Sequence, residues 1–179
     1  MVLFQLTVVL IVKVFIRYKN FMSIKKVKPT SKSGFKQGYY KPKYPQKYRG
    51  EGPIIYRSSW ERKFCYWCDH NTDVIYWISE PFSIPYFNLL DNKFHKYYPD
   101  FFFKMKKGDK TQEYVVEIKP KAQLQKPKEP KRKTAKALKN FKYAYESYVR
   151  NLCKTNALNK MAKERNCKVM LLTEDSNLF

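Results

Sequence analysis

The chain has 179 residues, enough for one domain with a sizeable core or for one domain plus tails. Its 37 Lys+Arg against 15 Asp+Glu give a formal net charge of +22, while 44% of the residues are hydrophobic and 17% aromatic. That balance excludes a basic disordered tail and a neutral solvated surface, and it points to a folded domain with a polyanionic partner, nucleic acid or an anionic membrane.

Residues 1 to 16 (MVLFQLTVVLIVKVFI) are strongly apolar, but the unbroken run ends at Lys13. A spanning helix needs roughly 20 such residues. No positive charge precedes the run and no small-residue cleavage site follows it, so it does not read as a signal peptide. Three readings stay open for residues 1–22: an anchor or interfacial segment, an element packed on the domain, or an extension upstream of a functional start at Met22. The last two are preferred, and no membrane partner is expected.

Residues 23 to 53 hold nine Lys/Arg against the single acid Glu51, with Pro, Gly, Ser and Tyr filling much of the rest. Periodicity is absent, so residues 23–55 are expected to form an extended basic arm. Lysines interleaved with tyrosines suit phosphate contact and stacking on bases. Lys41, Lys43, Lys47 and Arg49, which follows Tyr48, are the candidate DNA contacts in the arm. A solvated linker is the alternative.

The folded domain is expected over residues 56–179. Ser58 before an amphipathic run is a helix N-cap signal, and Trp60, Phe64, Trp67 and Cys68 recur at helical spacing. Cys65-x-x-Cys68 followed by His70 invites a zinc reading. No second close Cys/His pair exists to complete four ligands, so two small apolar cysteines on a buried helix face is the better account. Short strands are predicted at 74–79, 82–87, 94–98, 100–105 and 112–119, with a turn at Lys106–Lys110. A Pro-punctuated basic loop follows: residues 119 to 142 carry ten Lys/Arg against Glu129. An amphipathic helix from about Thr134 to Arg165 is predicted on the spacing of Leu138, Phe141, Tyr145, Tyr148 and Leu152, either continuous or broken once near Thr155-Asn156. Cys167–Leu172 closes the pattern as a short buried strand. Helix, strands, loop, helix and strand make an α/β or α+β domain with a mixed sheet.

The chemistry concentrates between Tyr97 and Lys121. If the hairpin closes around Gly108-Asp109, Asp100 falls opposite the neighbourhood of Glu117 and Ile118. Strand alternation puts Glu117 and Lys119 on one face and leaves Val116 and Ile118 for the core. Phosphodiester hydrolysis needs a hard divalent cation on oxygen ligands with positions left for water and phosphate. Asp100 and Glu117 can supply two ligands and the Ile118 carbonyl a third. Lys119 can orient the attacking water and offset charge in the transition state. Glu61, in the first turn of its helix, can complete the site, or it can be a carboxylate that the helix dipole favours. A surface salt-bridge cluster is the competing reading of the whole set.

Pro99-Asp100 followed by Glu117-Ile118-Lys119 resembles the PD-(D/E)xK nuclease motif, with Glu61 as its upstream helical companion. The blocks YRSSWERKF, WCD, IPYFNLLDNKFHKYYPDFFFK, VVEIKPK and LLTED resemble the head-completion nucleases of T-even-like tailed phages, from about Tyr48 to Asp175. The resemblance implies a restriction-endonuclease-like fold, a mixed central sheet flanked by helices. It implies a magnesium-dependent deoxyribonuclease, with manganese as a substitute, whose catalytic set is Glu61, Asp100, Glu117 and Lys119. It further implies a virion protein at the capsid portal vertex, assembled in the host cytoplasm. Such a protein acts on packaged double-stranded DNA ends beside portal or neck proteins. The endonuclease subunit of heteromeric transposases is similar and also has a His before the PD; His95 fits that position as a phosphate contact, or it is a strand residue facing solvent. Lys121 and Gln123 can touch the cut strand, and Lys131, Arg132 and Lys133 can bind phosphates. A non-catalytic DNA-end plug, or a transposase or repair nuclease subunit, remains as an alternative.

Overall fold

The computed structural model describes residues 28–29 and 37–176. The apolar segment 1–22 and, apart from Lys28 and Pro29, the arm up to residue 36 lie outside the described residues. Among the described residues no helix is long and apolar enough to cross a membrane.

The elements run β1 (Gly38–Tyr40), β2 (Ile54–Tyr56), α1 (Ser59–His70), β3 (Val74–Ser79), β4 (Ile84–Asn88), β5 (Lys93–Tyr97), β6 (Phe101–Lys107), β7 (Lys110–Ile118), α2 (Ala135–Glu164) and β8 (Lys168–Leu172), with two short 3-10 turns. The central sheet has the order β3-β6-β7-β8. Its first three strands are antiparallel neighbours, and β8 joins β7 in parallel. Parallel neighbours need a crossover connection, and α2 provides it. Two small sheets, β1-β2 and β4-β5, stand outside the central one.

Period-two alternation divides the core between two helices. Phe101 and Phe103 of β6 share a cluster with Trp77, Val116 and Ile118, and Phe64, Cys65 and Cys68 of α1 close it. Phe102 and Val115 face the other way, onto Cys153, Leu158, Met161 and Ala162 of α2. Three consecutive phenylalanines on a strand are thus used on both faces, each worth roughly 1.5–3 kcal/mol on burial. All four cysteines are free and buried.

Both helices are capped at the N-terminus by a hydroxyl side chain, for Ser58 as the sequence indicates. Ser58 Oγ accepts from the Glu61 N–H and Thr134 Oγ1 from the Ala137 N–H. The second helix is one unbroken rod of 30 residues. Its apolar stripe is not used as its spacing suggests. Leu138, Tyr145 and Leu152 are exposed, and the buried residues fall in the second half, from Asn151 to Ala162. The reason is length. A 30-residue helix runs about 45 Å, while a seven-residue strand such as β6 spans about 23 Å. The first half of α2 therefore extends past the sheet.

The described part of the basic arm is extended but docked. Asp69, fully buried, accepts from the Lys43 N–H at 2.7 Å, the Tyr44 N–H at 3.0 Å and the Tyr40 hydroxyl at 3.0 Å. Lys47 Nζ donates to the carbonyls of Asp69 and Asn71 at the C-terminal end of α1, where the helix dipole favours a cation.

Candidate active site

The β6-β7 hairpin turns through Gly108-Asp109, with Lys107 paired to Lys110 and Gly108 at φ +60°. That tight closure sets Phe101 against Val116, so the next position outward places Asp100 across from Glu117. Val116 and Ile118 are buried on the α1 face. Glu117 and Lys119 take the opposite face, beneath α2. The alternation read from the sequence holds, and the register is tight enough to bring Asp100 against Glu117 itself.

A cleft of about 290 Å³ opens at this end of the sheet. Glu61, Asp100, Glu117 and Lys119 all line it, together with Arg57, Glu80, Tyr97 and Lys154. Asp100 is held from the backbone: its Oδ2 accepts from the Ile118 N–H at 2.7 Å, and its own carbonyl accepts from the Glu80 N–H at 2.9 Å. Glu117 is 3% exposed, with one carboxylate oxygen 2.5 Å from Lys119 Nζ and the other accepting from the Tyr97 hydroxyl. Glu61 accepts from the Arg57 N–H at 2.7 Å and from Ser58 Oγ at 3.0 Å, two bonds to the residues just before its helix that fix its carboxylate at the cleft. Glu61 thus lies in the first turn of its helix and also lines the cleft.

The electrostatics are those of a crowded anionic site. Enclosure pushes the Asp100 carboxyl well above the usual aspartate range, and Glu117 and then Glu61 push it further, against Lys119 and the Ile118 N–H. Burial likewise raises Glu61. Burial would by itself depress Lys119, but Glu117 and then Asp100 outweigh it and hold the ammonium above the usual lysine range. Tyr97 is raised by burial and then by Glu117, so its hydroxyl keeps its proton and serves as a donor.

This donor set fits a divalent cation. Two facing carboxylates with a third nearby carry repulsion that a cation relieves, and all the side-chain donors are hard oxygens. No group of three or more His, Cys, Asp or Glu among the described residues is close enough to hold a metal unaided. The pair Asp100 and Glu117 would therefore share it with the Ile118 carbonyl, water and substrate.

The remaining candidates lie elsewhere. His95 sits in the β4-β5 hairpin with Nε2 2.7 Å from Asp91 and its ring against Tyr86. Lys121 Nζ pairs with Asp175 at 2.6 Å, and the Gln123 carbonyl accepts from Asn151. Arg49 lies over the Tyr76 ring and Lys43 over Tyr44. Lys41, Lys131, Arg132 and Lys133 are exposed. Several cleft residues, Tyr97 and Lys154 among them, escaped the sequence reading. Tyr97 stood three places before Asp100, where alternation marked only a strand. Lys154 was one lysine among many on a basic helix, and no local pattern singled it out.

An antiparallel hairpin followed by a crossover helix and a parallel strand, with acids at the open end of the hairpin, defines a restriction-endonuclease-like fold. The family model "TnsA-like endonuclease N terminal" matches residues 71–174, and the chain belongs to that family. It is also 39% identical over 139 residues to the "Head completion nuclease" of Enterobacteria phage T4, covering 77% of this chain and 91% of that protein. No solved structure matches the chain. The family match spans Asp100, Glu117 and Lys119, whereas Glu61 precedes it.

Proposed function

We propose that the protein is a magnesium-dependent DNA endonuclease, with manganese as a substitute, that acts on packaged phage DNA ends during head completion. The observation that carries the chemistry is the convergence of Asp100, Glu117, Lys119 and Glu61 on one cleft. The biological setting rests on the 39% identity to a head completion nuclease across 91% of that protein.

Asp100 and Glu117 would hold the cation with the Ile118 carbonyl, and Glu61 would support the set. A bound divalent cation supplies Lewis acidity toward the phosphate and lowers the pKa of a bound water. The protein's own groups do the rest. Lys119, now paired with Glu117, turns its ammonium toward the attacking water and the phosphoryl oxygens once the charge of Glu117 is shared. Tyr97 keeps the Glu117 carboxylate in orientation. Water oxygen bonds to phosphorus, its proton passes to solvent, one bridging P–O bond breaks, and the departing oxygen takes up a proton.

DNA is held outside the cleft by charge. Lys131, Arg132 and Lys133, with Lys136, Lys139 and Lys142 on the protruding half of α2, form a backbone-binding track without a base-reading helix. Lys41 and His95 are further phosphate contacts, and Lys121 and Gln123 flank the cut strand. Lys43, Lys47 and Arg49 chiefly fasten the arm to the domain through their contacts. Residues 23–55 serve as the arm and 56–179 as the nuclease domain. In the virion the partners are portal or neck proteins at the portal vertex.

The test is nicking of supercoiled plasmid in Mg²⁺ with and without EDTA. Asp100→Ala and Lys119→Ala should each abolish metal-dependent nicking while DNA binding, measured in Ca²⁺, stays within about threefold. Full activity in either variant, or nicking by neither variant nor parent, refutes the reading.

A further inference from the structure

We propose that Lys154 is a second catalytic cation, which contacts a non-bridging oxygen of the scissile phosphodiester in the cleft. The proposal rests on the nuclease reading above and adds a residue from outside the hairpin and its motif.

Rotation of α2 brings Lys154 to this place. Asn151 and Leu158, one turn to either side, are both buried, so Lys154 lies on the sheet-facing side of the helix. There it meets the cleft rather than the core. Its Nζ stands 5.4 Å from the centre of the Tyr97 ring and 5.8 Å from that of Tyr86. Ring faces hold an ammonium in position without neutralising it. Tyr97 also donates to Glu117, so one side chain ties the cation's seat to the metal-binding carboxylate.

Lys119 and Arg57, two of the other cations lining the cleft, are differently placed. Lys119 is paired with Glu117 at 2.5 Å and Arg57 with Glu80 at 2.9 Å. Lys154 has no carboxylate within 4.0 Å among the described residues. Burial and then Lys119 hold its pKa below the usual lysine range. A partly buried, unpaired ammonium is unfavourable alone and favourable once an anion arrives. Because its stem is already set against two rings, little ordering is needed when the phosphate enters. A lysine that merely covered apolar surface would carry its ammonium out to water; this one carries it into the cleft.

The experiment uses the full chain and a defined DNA duplex, with kcat and KM measured separately. Lys154→Met keeps the apolar stem over the rings and removes the charge. It should lower kcat by roughly 10²–10³-fold, the loss typical of one preorganised donor to a transition state, with KM within about threefold. Lys154→Arg should recover kcat to within about tenfold of the parent. Lys160→Met, on an exposed position of the same helix, should leave kcat unchanged. Melting curves establish that each variant is folded, and Lys154→Gln replaces the Met variant if that one is not. A Lys154→Met enzyme with the parent's kcat, or with only KM raised, overturns the proposal, as does an Arg variant no faster than Met. If the parent shows no metal-dependent cleavage, the nuclease reading and this proposal both fall; if the parent cleaves and only the Lys154 results disagree, the nuclease reading stands.

Discussion

Asp100→Asn should make the protein more stable in the absence of metal, although it destroys the proposed site. Positions facing each other across an antiparallel pair stand about 5 Å apart, and two ionised carboxylates at that distance repel by roughly 3 kcal/mol at an effective dielectric near 20. Lys119 and the Ile118 N–H offset part of this, which leaves a net strain of about 1–2 kcal/mol. Asparagine retains an oxygen for the Ile118 N–H and removes the charge. For a chain of this size the gain corresponds to a Tm rise of about 3–6 °C in EDTA at pH 8. Burial and the neighbouring carboxylates raise the folded-state pKa of Asp100 above its unfolded value. The parent therefore has the full benefit of the protonated form below the ordinary aspartate range, near pH 4, and loses it as pH rises through the elevated value. The Asn variant's advantage should accordingly be largest at pH 8 and vanish near pH 4. Added Mg²⁺ should reverse the order, because the parent gains about 2.7 kcal/mol at a hundredfold excess over Kd and the variant gains little. The assay is thermal melting across pH with and without metal. An Asn variant that melts below the parent equally at pH 8 and pH 4 refutes the argument and makes Asp100 a structural anchor.

Two other outcomes follow from the geometry. Tyr97→Phe removes the hydroxyl that orients Glu117 and should raise the Mn²⁺ concentration for half-maximal cleavage by roughly 10-fold, the scale of a lost outer-shell partner; an unchanged metal titration refutes the role. Replacing Lys131, Arg132 and Lys133 together by Ala should lower the slope of log K against log salt by about 2–3 in magnitude for duplex DNA while kcat at saturating DNA stays unchanged. An unaltered slope would place the backbone track elsewhere.

Much of the framework was legible before any coordinates. Ser58 caps its helix as its residue type requires, because a side-chain oxygen three residues ahead of an N–H is a local geometry. Phe101 to Phe103 read correctly as part of a strand. The long helix was harder. Leu138, Phe141, Tyr145 and Leu152 make a convincing stripe, yet periodicity reports which residues share a face and not whether anything lies beneath it. The sheet ends before that half of α2 begins. Similarly, Lys47 belonged to a dense basic run that suggested phosphate, and in the fold its ammonium caps the end of α1.

The sequence by itself determined the acid pair and its lysine. Asp100, Glu117 and Lys119 lie on one hairpin, a two-residue turn at Gly108-Asp109 sets the register, and a period of two sets the face. Local rules suffice because each step is a short-range contact along a single ladder. Only the tertiary structure decided what surrounds them. Glu61 reaches the cleft because α1 packs one face of the sheet, Tyr97 because β5 ends beside it, and Lys154 because α2 packs the other face in one particular rotation. Those placements depend on contacts between residues some 20 to 60 positions apart in the chain, chosen by how apolar side chains fill the two cores, and no single segment contains that information.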